Sequence, residues 1–419
     1  MSPPDVKRRR SLTHVGGAVV TAGDRELAGL LAQALDVQPA RAPSPTESNA
    51  DDADRVHVHG FHAYPARIHP ATAACLVRAV SREGATVLDP FCGSGTVLVE
   101  AMLAQRRAIG TDLNPLAVRL AQLKTTLPEP HTGTAIVSAA NDVGAFATER
   151  RKRRAGSTKR YPPEDVELFD PHVLLELDSI QAGIATQIGR DAALRSALEL
   201  VLSAILVKVS RRASDTSATM VPRRLAAGYA TRLFVSKAAE VARRLGEFAQ
   251  LAPPGTARAR VELDDAAKLR TLAASTVDAV VTSPPYVSTY DYLAQHSARL
   301  RWLKLDATRF AASEMGARRR FAKLDARAAR TAWSRELDAV LRSIRRVCRP
   351  NARVVMVLAD SAVQDEALRA DSILAAVARD TGFAVLARAS QTRPHFHAGT
   401  ARAFQDRPRA EHAIALEKQ

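Results

Sequence analysis

A glycine-rich turn after a predicted buried strand is the first feature of the chain that points to chemistry. Residues 86–88 are apolar and β-branched, which is typical of a buried strand. In the turn that follows, Gly93 and Gly95 lack Cβ atoms, so a ligand can approach the backbone closely. After Thr96 the apolar residues recur with a helical period. This order predicts a nucleotide-type pocket in an open α/β sheet, although Leu98 stands where a dinucleotide site needs its third glycine.

Polar residues also follow two other predicted strands. Residues 107–111 form one strand that ends in Asp112, at a spacing that suits a carboxylate accepting from both hydroxyls of a ribose. Residues 277–282 form another strand, which leads directly into Ser-Pro-Pro-Tyr at 283–286. Because ligands bind at the carboxyl ends of such strands, we expect these residues to share one cleft.

Together these motifs resemble those of the amino-group DNA methyltransferases, which use S-adenosylmethionine. Residues 89–96, Asp-Pro-Phe-Cys-Gly-Ser-Gly-Thr, are similar to the family's cofactor loop, and residues 283–286 are similar to its catalytic tetrapeptide in the form most often seen in cytosine-N4 enzymes. The resemblance covers residues 57 to about 115 and 260 to the C-terminus. It implies a Rossmann-like class I methyltransferase fold, an α/β structure with a mostly parallel seven-stranded sheet and helices on both faces.

The resemblance also implies which residues bind the cofactor. Asp89 is expected near its amino group, the loop amides of residues 91–95 face its methionine part, and residues 64–70 cap the pocket. For the adenine amino group Asp264 and Asp265 are both candidates, with Asp265 preferred. The predicted cofactor-binding residues are Ala66, Arg67, His69, Asp89, Phe91, Cys92, Gly93, Gly95, Thr96, Asp112 and Asp265, and no metal ligand is predicted.

Two of these positions have an alternative interpretation. Cys92 is a potential nucleophile, but cytosine-C5 enzymes carry their cysteine in a Pro-Cys pair, and here Cys92 follows Phe91. We therefore interpret Cys92 as a small loop residue. The prolines at 65 and 70 also suit a chain that simply enters a helix, independently of any ligand.

The predicted catalytic residues are Ser283, Pro284, Pro285 and Tyr286. An exocyclic amine is a weak nucleophile because its lone pair is delocalised into the base. By resemblance, the Ser283 hydroxyl and the Pro284 carbonyl accept its hydrogens, and Tyr286 stacks on the extruded base. Serine at the first position favours cytosine-N4 over adenine-N6 as the target.

Composition and charge are consistent with a nucleic-acid substrate. The formal net charge of +16 favours a polyanionic partner, here double-stranded DNA. The three cysteines show no metal-ligand spacing and indicate a reducing cytoplasm. No secretory signal is evident and no apolar run is long enough to span a bilayer, so we expect a cytoplasmic protein without a membrane partner.

The chain divides into four predicted parts. Residues 1–54 are expected to be a mostly disordered basic and polar tail in which only residues 24–35 suit a short helix. Residues 55–125 are expected to be the cofactor-binding half and 255–419 the catalytic half. Residues 126–254 are a mostly helical insertion, which we assign to target recognition; a purely structural scaffold is the alternative. Its basic runs, 149–154 and 159–160, are predicted to be loops that contact DNA phosphates.

The sequence therefore predicts a DNA cytosine-N4 methyltransferase of a restriction-modification or defence system, with a possible cognate restriction endonuclease as partner. The alternatives are an adenine-N6 enzyme, an RNA base methyltransferase with the same core, and a nucleic-acid-binding protein without turnover. An intact Ser-Pro-Pro-Tyr at 283–286 argues against the last of these.

Overall fold

An eight-stranded sheet forms the centre of the molecule. The computed structural model describes residues 16–37, 56–65, 67–214, 219–394 and 398–419. The strands of this sheet and of a separate two-stranded one (β7 and β8) are β1 Val19–Gly23, β2 Thr86–Asp89, β3 Arg107–Asp112, β4 Arg260–Leu263, β5 Val277–Thr282, β6 Cys348–Ala359, β7 Ser361–Val363, β8 Glu366–Leu368, β9 Phe383–Thr392 and β10 Ala410–Lys418.

Helices cover the sheet and fill the segment between β3 and β4. Their bounds are α1 Arg25–Leu35, α2 Pro70–Val80, α3 Thr96–Leu103, α4 Pro115–Lys124, α5 Thr132–Lys152, α6 Pro163–Leu168, α7 Pro171–Gln187, α8 Ala192–Val209, α9 Tyr229–Leu251, α10 Tyr292–Trp302, α11 Thr308–Ser313, α12 Arg318–Phe321, α13 Ala326–Val347 and α14 Ala370–Asp380. Within the described residues, no helix combines the length and the apolar character that crossing a bilayer requires.

The order of the strands creates a crevice in the middle of the sheet. That order is β4-β3-β2-β5-β6-β10-β9-β1, and the neighbours from β4 to β6 are parallel. The chain moves outward from β2 toward β4 and then outward from β5 in the opposite direction, so β2 and β5 flank the switch point where ligands bind in open α/β sheets. The predicted mostly parallel α/β fold is confirmed, with eight strands in place of the predicted seven.

The eighth strand comes from the segment predicted to be a disordered tail. β1 pairs antiparallel with β9, from Val19 opposite Gln391 to Gly23 opposite Ala387. Asp24 then caps α1, because its side chain accepts a hydrogen bond from the Leu27 amide at 2.8 Å. The disorder prediction is therefore wrong for the strand at residues 19–23, whereas the short helix predicted at residues 24–35 is present as α1 and buries its apolar face. The basic tag at residues 7–10 lies outside the described residues.

Alternation along the central strand supplies two hydrophobic cores, one on each side of the sheet. In β2, Val87 belongs to the larger apolar cluster and the adjacent Leu88 to the second one, and both are fully buried. Successive side chains of a strand point to opposite faces, so a strand covered on both sides is apolar throughout. This is why Val87 and Leu88, which point to opposite faces, are both apolar.

The insertion between β3 and β4 consists of helices α5 to α9, as predicted. It contacts the catalytic half through Trp302, whose ring lies against those of Tyr161 and Phe169. The basic run at 149–154 is not wholly a loop, because α5 continues to Lys152. The role of the insertion in target recognition is a proposal.

Candidate active site

A cavity of about 590 Å³ opens at the carboxyl ends of β2, β3 and β5. Its volume falls within the usual range for small-molecule sites. The predicted cofactor residues on its wall are Arg67, Asp89, Phe91, Cys92, Gly93, Thr96, Asp112 and Asp265. Tyr64 of the predicted cap segment and Tyr292 also line it, together with Asn114 and Lys268, which the sequence did not mark as cofactor residues.

The glycine turn has the backbone conformation that its sequence predicts. Gly93 and Gly95 have φ angles of 50° and 87°, in the left-handed region that favours glycine. A Cβ on Gly93 would lie 3.2 Å from the ring of Tyr64, and a Cβ on Gly95 would lie 3.1 Å from Ala121. The turn therefore has no space for larger residues, and Gly95 acts by packing rather than by lining the cavity.

Two buried carboxyl groups stand at the cavity wall. Asp89 accepts hydrogen bonds through Oδ1 from the Thr282 hydroxyl at 2.6 Å and the Phe91 amide at 3.1 Å. Asp112 accepts from the Gly93 amide at 2.9 Å and the Asn114 amide at 2.8 Å. Burial raises the pKa of Asp89 to about 7 and that of Asp112 to about 6. Burial without a cation is the physical cause of both shifts.

The two candidate acids after β4 have different positions. Asp264 is buried and turned toward its own loop, where it accepts from the amide and hydroxyl of Thr271, both at 2.8 Å. Asp265 lines the cavity, with Lys268 2.9 Å from its carboxylate. The geometry agrees with the preference for Asp265.

The predicted cap segment contributes unevenly to this cavity. Arg67 lines it and also donates to the His59 carbonyl at 2.6 Å. His69 does not line this cavity; it lines a neighbouring one, and its Nδ1 accepts from the Ala71 amide at 3.2 Å as the N-cap of α2. The prediction that His69 contacts the cofactor is therefore not supported by its position. Ala66 lies outside the described residues.

Burial keeps Cys92 in its thiol form. Its Sγ has a pKa raised well above the ordinary value, first by burial and then by the charges of Asp112 and Asp89. A nucleophilic cysteine needs the opposite shift, because the thiolate is the reactive form. The environment agrees with the interpretation of Cys92 as a small loop residue.

Polar groups beneath the glycine turn hold it in place. Lys124 is fully buried and donates to the Ser94 hydroxyl at 3.0 Å, and burial lowers its pKa well below the ordinary value. His59 hydrogen-bonds Glu100 of α3 at 2.8 Å, and burial raises the pKa of that carboxyl to about 7. These contacts attach the loop and its helix to α4 and to the segment before α2.

A second cavity, of about 320 Å³, adjoins the first. Ser283 lines both cavities, while Pro284 and Tyr286 line the smaller one and Pro285 lines the larger one. The predicted catalytic tetrapeptide therefore lies between the two spaces. Its strand, β5, pairs directly with β2, which carries Asp89.

The smaller cavity has charged residues that sequence reasoning missed. Glu411 and Arg409 come from β10 and the residue before it, and Arg393 follows β9. Glu411 accepts from the Tyr286 hydroxyl at 3.0 Å and from Nε of Arg393 at 3.0 Å. No local pattern marks these residues, since they reach the site through strands far away in sequence.

Aromatic rings at the start of α10 complete the wall. Tyr290 and Tyr292 line the smaller cavity, with ring centroids 5.5 Å apart, and Tyr292 stacks on Tyr64 at 6.4 Å. Trp302 is buried instead and packs against the insertion. Tyr290 and Tyr292 therefore belong to the cavity wall, whereas Trp302 belongs to the core.

In the basic segment at residues 318–330, some of the basic side chains are held in ion pairs and others are exposed to solvent. Arg319 forms ion pairs with Asp291 and Glu314, and Arg320 lies 2.9 Å from Glu336. Other basic residues of this segment are exposed to solvent: Arg318, Lys323, Arg327 and Arg330. These exposed residues are candidates for phosphate contact.

Comparison with known proteins agrees with this site. Residues 37–123 match the family model described as DNA methylase. The chain is 41% identical over 75 residues to the type II methyltransferase M.MvaI of Kocuria varians and 35% identical over 68 residues to the type II methyltransferase M.MjaII of Methanocaldococcus jannaschii. It is also 40% identical over 61 residues to a tRNA (guanine(10)-N2)-dimethyltransferase of Methanothermobacter thermautotrophicus.

These matches are confined to part of each protein. They cover 17%, 16% and 14% of this chain, and the chain spans only 16%, 13% and 18% of the three relatives. Among solved structures, the rRNA methyltransferase aviRa of Streptomyces viridochromogenes covers 88% of this chain and 94% of its own at 13% identity, with a TM-score of 0.34. The predicted resemblance to the amino-group DNA methyltransferases is confirmed for the cofactor-binding segment, together with S-adenosylmethionine as the cofactor of that family.

Proposed function

We propose that this protein transfers a methyl group from S-adenosylmethionine to the exocyclic N4 amine of cytosine in DNA, as part of a restriction-modification or defence system. The observation that carries the proposal is that Ser283 lines both cavities. A group at this position can contact a target amine in the smaller cavity next to a methyl donor in the larger one. The match to DNA methylases supports the reaction type.

The residues of the larger cavity suit S-adenosylmethionine. Asp89 offers a buried carboxylate to the ammonium group, Asp112 one to the ribose hydroxyls, and Asp265 one to the adenine amine. The Thr96 hydroxyl is buried and lacks a partner within the described part of the chain, so it is available to a ligand. When bound, the cofactor supplies an activated sulfonium methyl group.

The tetrapeptide positions the amine. The Ser283 hydroxyl and the Pro284 carbonyl are the expected acceptors for its two hydrogens, which favours a tetrahedral nitrogen with a lone pair directed at the methyl carbon. Proline at 284 and 285 restricts the backbone and adds no competing N–H. Good alignment of the reactants lowers the barrier by roughly 7–11 kcal/mol.

The smaller cavity favours a base with a carbonyl oxygen. Arg409 lines it, while its Nε donates to the Asp360 carbonyl at 2.9 Å. A guanidinium carries five N–H donors, so further donors remain for a ligand. Cytosine presents two adjacent acceptors, O2 and N3, to a planar guanidinium, whereas the acceptors of adenine are separate ring nitrogens. This supports cytosine, in agreement with serine at position 283.

The enzyme would act on an extruded base. Tyr286 and Tyr290 offer aromatic faces to that base, and stacking offsets part of the cost of removing it from the duplex. We assign the insertion, residues 126–254, to target recognition. Exposed arginines such as Arg318 and Arg327 would contact phosphates and contribute affinity rather than sequence specificity.

The direct test combines the purified protein with methyl-labelled S-adenosylmethionine and genomic duplex DNA from a host that lacks the protein. After digestion to nucleosides, the expected label is in N4-methylcytosine. Label solely in N6-methyladenine would overturn the choice of base. Cofactor binding without transfer to any nucleic acid would favour the non-enzymatic alternative.

An RNA base methyltransferase is the second candidate. It is favoured by the 40% identity over 61 residues to a tRNA (guanine(10)-N2)-dimethyltransferase. The same assay distinguishes it, because transfer to bulk tRNA and not to duplex DNA is the result that this candidate predicts.

A further inference from the structure

A line of hydrogen bonds connects the catalytic tetrapeptide with strand β10. The Tyr286 hydroxyl donates to Oε1 of Glu411 at 3.0 Å, and Oε2 of the same carboxylate accepts from Nε of Arg393 at 3.0 Å. Ser283 lines the same cavity as Tyr286, and its hydroxyl opposes the rise that burial causes in the Tyr286 pKa, which is the effect of a donor to the phenol oxygen. A phenol has a single O–H, so with this proton directed at Glu411 the serine hydroxyl must be the donor to Tyr286.

The bonds of this line all have the same direction. Ser283 donates to Tyr286 and Tyr286 donates to Glu411, so the lone pairs of the serine oxygen remain available at the two cavities. An amine hydrogen approaching Ser283 would extend the line by one bond in the same direction. A uniformly directed chain of this kind can carry a proton by a shift of each hydrogen along its own bond.

Glu411 is held firmly at the far end. It lies in β10 between two antiparallel neighbours, opposite Ala359 of β6 and Gln391 of β9. Arg393, which is 3% exposed, holds one carboxylate oxygen and leaves the other to Tyr286. The sheet therefore fixes the acceptor better than a loop would.

We propose that Glu411 accepts the proton that the target amine loses during methylation, with Ser283 and Tyr286 as the relay. The inference rests on the proposed function, since it requires an amine substrate beside Ser283. Glu411 acts through two other side chains and does not itself contact the amine.

The step balances without another reactant. The amine nitrogen forms a bond to the methyl carbon, and the carbon–sulfur bond breaks with its electron pair remaining on sulfur. The methylated nitrogen then carries one proton too many. That proton passes to the Ser283 oxygen while the serine proton moves to Tyr286 and the tyrosine proton moves to the Glu411 carboxylate. Serine and tyrosine end unchanged, and Glu411 ends protonated until solvent removes the proton.

The first test uses variants that interrupt the relay at different points. Glu411→Gln keeps the size of the side chain but removes the proton acceptor, and Tyr286→Phe keeps the ring but removes the hydroxyl. Each should slow single-turnover methyl transfer on the order of 10²-fold, the lower end for proton-transfer catalysis, with cofactor affinity unchanged. The double variant should be no slower than either single one, because all three lack the same path. Glu417→Gln, on the same strand and outside both cavities, is the matched control and should keep the wild-type rate.

A second test separates proton acceptance from structural support. In Glu411→Ala, added formate should restore part of the rate, whereas formamide, which has a similar shape but no basic carboxylate, should not. Formate should leave the Tyr286→Phe rate unchanged, because the hydroxyl between the amine and the added base is missing. Equal rescue by formate and formamide would show that Glu411 only orients Tyr286 and would overturn the proposal.

The wild-type protein distinguishes failure of this inference from failure of the proposed function. If wild type transfers methyl to DNA and Glu411→Gln transfers at the same rate, the relay is wrong and the function stands. If wild type transfers no methyl to cytosine in DNA, the proposed function fails first, and the relay fails with it.

Discussion

Replacing Gly95 with alanine tests whether close packing beneath the cofactor turn sets its stability. Gly95 has a φ of 87°, and an added Cβ would lie 3.1 Å from both the Cα and the Cβ of Ala121. The left-handed conformation costs a residue with a Cβ roughly 1–2 kcal/mol. Overpacking against the α4 backbone, which cannot rotate away, adds about 1–3 kcal/mol. We therefore expect Gly95→Ala to lower the free energy of unfolding by roughly 2–5 kcal/mol.

Gly84 provides the matched control. Its φ is 74°, and a Cβ there would meet nothing within 4 Å. Gly84→Ala should therefore cost only the conformational part, roughly 1–2 kcal/mol. Both substitutions restrict the unfolded chain equally, so that contribution cancels when the two are compared.

The assay is urea unfolding of both variants and the wild type, together with the dissociation constant of S-adenosylmethionine. The difference between the variants should be about 1–3 kcal/mol, and only Gly95→Ala should weaken cofactor binding, because the turn and α3 must shift away from α4. Equal destabilisation by the two variants would refute the argument from packing. So would a Gly95→Ala protein with wild-type stability.

Three further predictions concern the two cavities. Burial raises the pKa of Asp89 to about 7, and a cationic cofactor group requires the ionised form. The dissociation constant of S-adenosylmethionine should therefore rise by about tenfold per pH unit as the pH falls below 7. Calorimetry on Asp89→Asn should find much weaker binding, and this binding should depend less on pH. Ser283→Ala should lower single-turnover methyl transfer by roughly 10²-fold with cofactor affinity unchanged; a parallel loss of affinity would assign Ser283 to cofactor binding instead. Arg409→Met should lower formation of N4-methylcytosine about 10-fold or more by removing a charged donor to the base, while Arg402→Met, an exposed neighbour, should not. Equal rates for the two arginine variants would remove Arg409 from base recognition.

Local sequence patterns determined the cofactor half of the site. Gly93 and Gly95 mark backbone conformations that other residues rarely adopt, and the adjacent apolar residues Val87 and Leu88 mark a strand that is covered on both faces. The tetrapeptide at 283–286 follows its strand directly, so the predicted cleft between β2 and β5 needed only the rule that parallel strands present their carboxyl ends together. In each case the signal lies within a few residues of the structure that it predicts.

Contacts between distant parts of the chain were decided only by the tertiary structure. Residues 19–21 are β-branched, but this propensity does not specify a strand by itself; β1 exists by pairing with β9, more than three hundred residues later in the chain. The sequence could not assign His69 to the neighbouring cavity, since a histidine before a helix suits both a cap and a ligand contact. Nor could it predict which arginines of the basic segment at 318–330 would be held in ion pairs.

Glu411 shows the physical reason most clearly. In sequence it is one acidic residue in a C-terminal strand, and nothing beside it suggests a connection with Tyr286, 125 residues earlier. Antiparallel pairing of β10 with β6 and β9 fixes its register, and that register brings the carboxylate to the tyrosine hydroxyl. Local sequence patterns were sufficient to predict the residues that we propose bind and activate the reactants, because the conformations of those residues are local. Folding of the sheet determined the residue at the end of their hydrogen-bond chain.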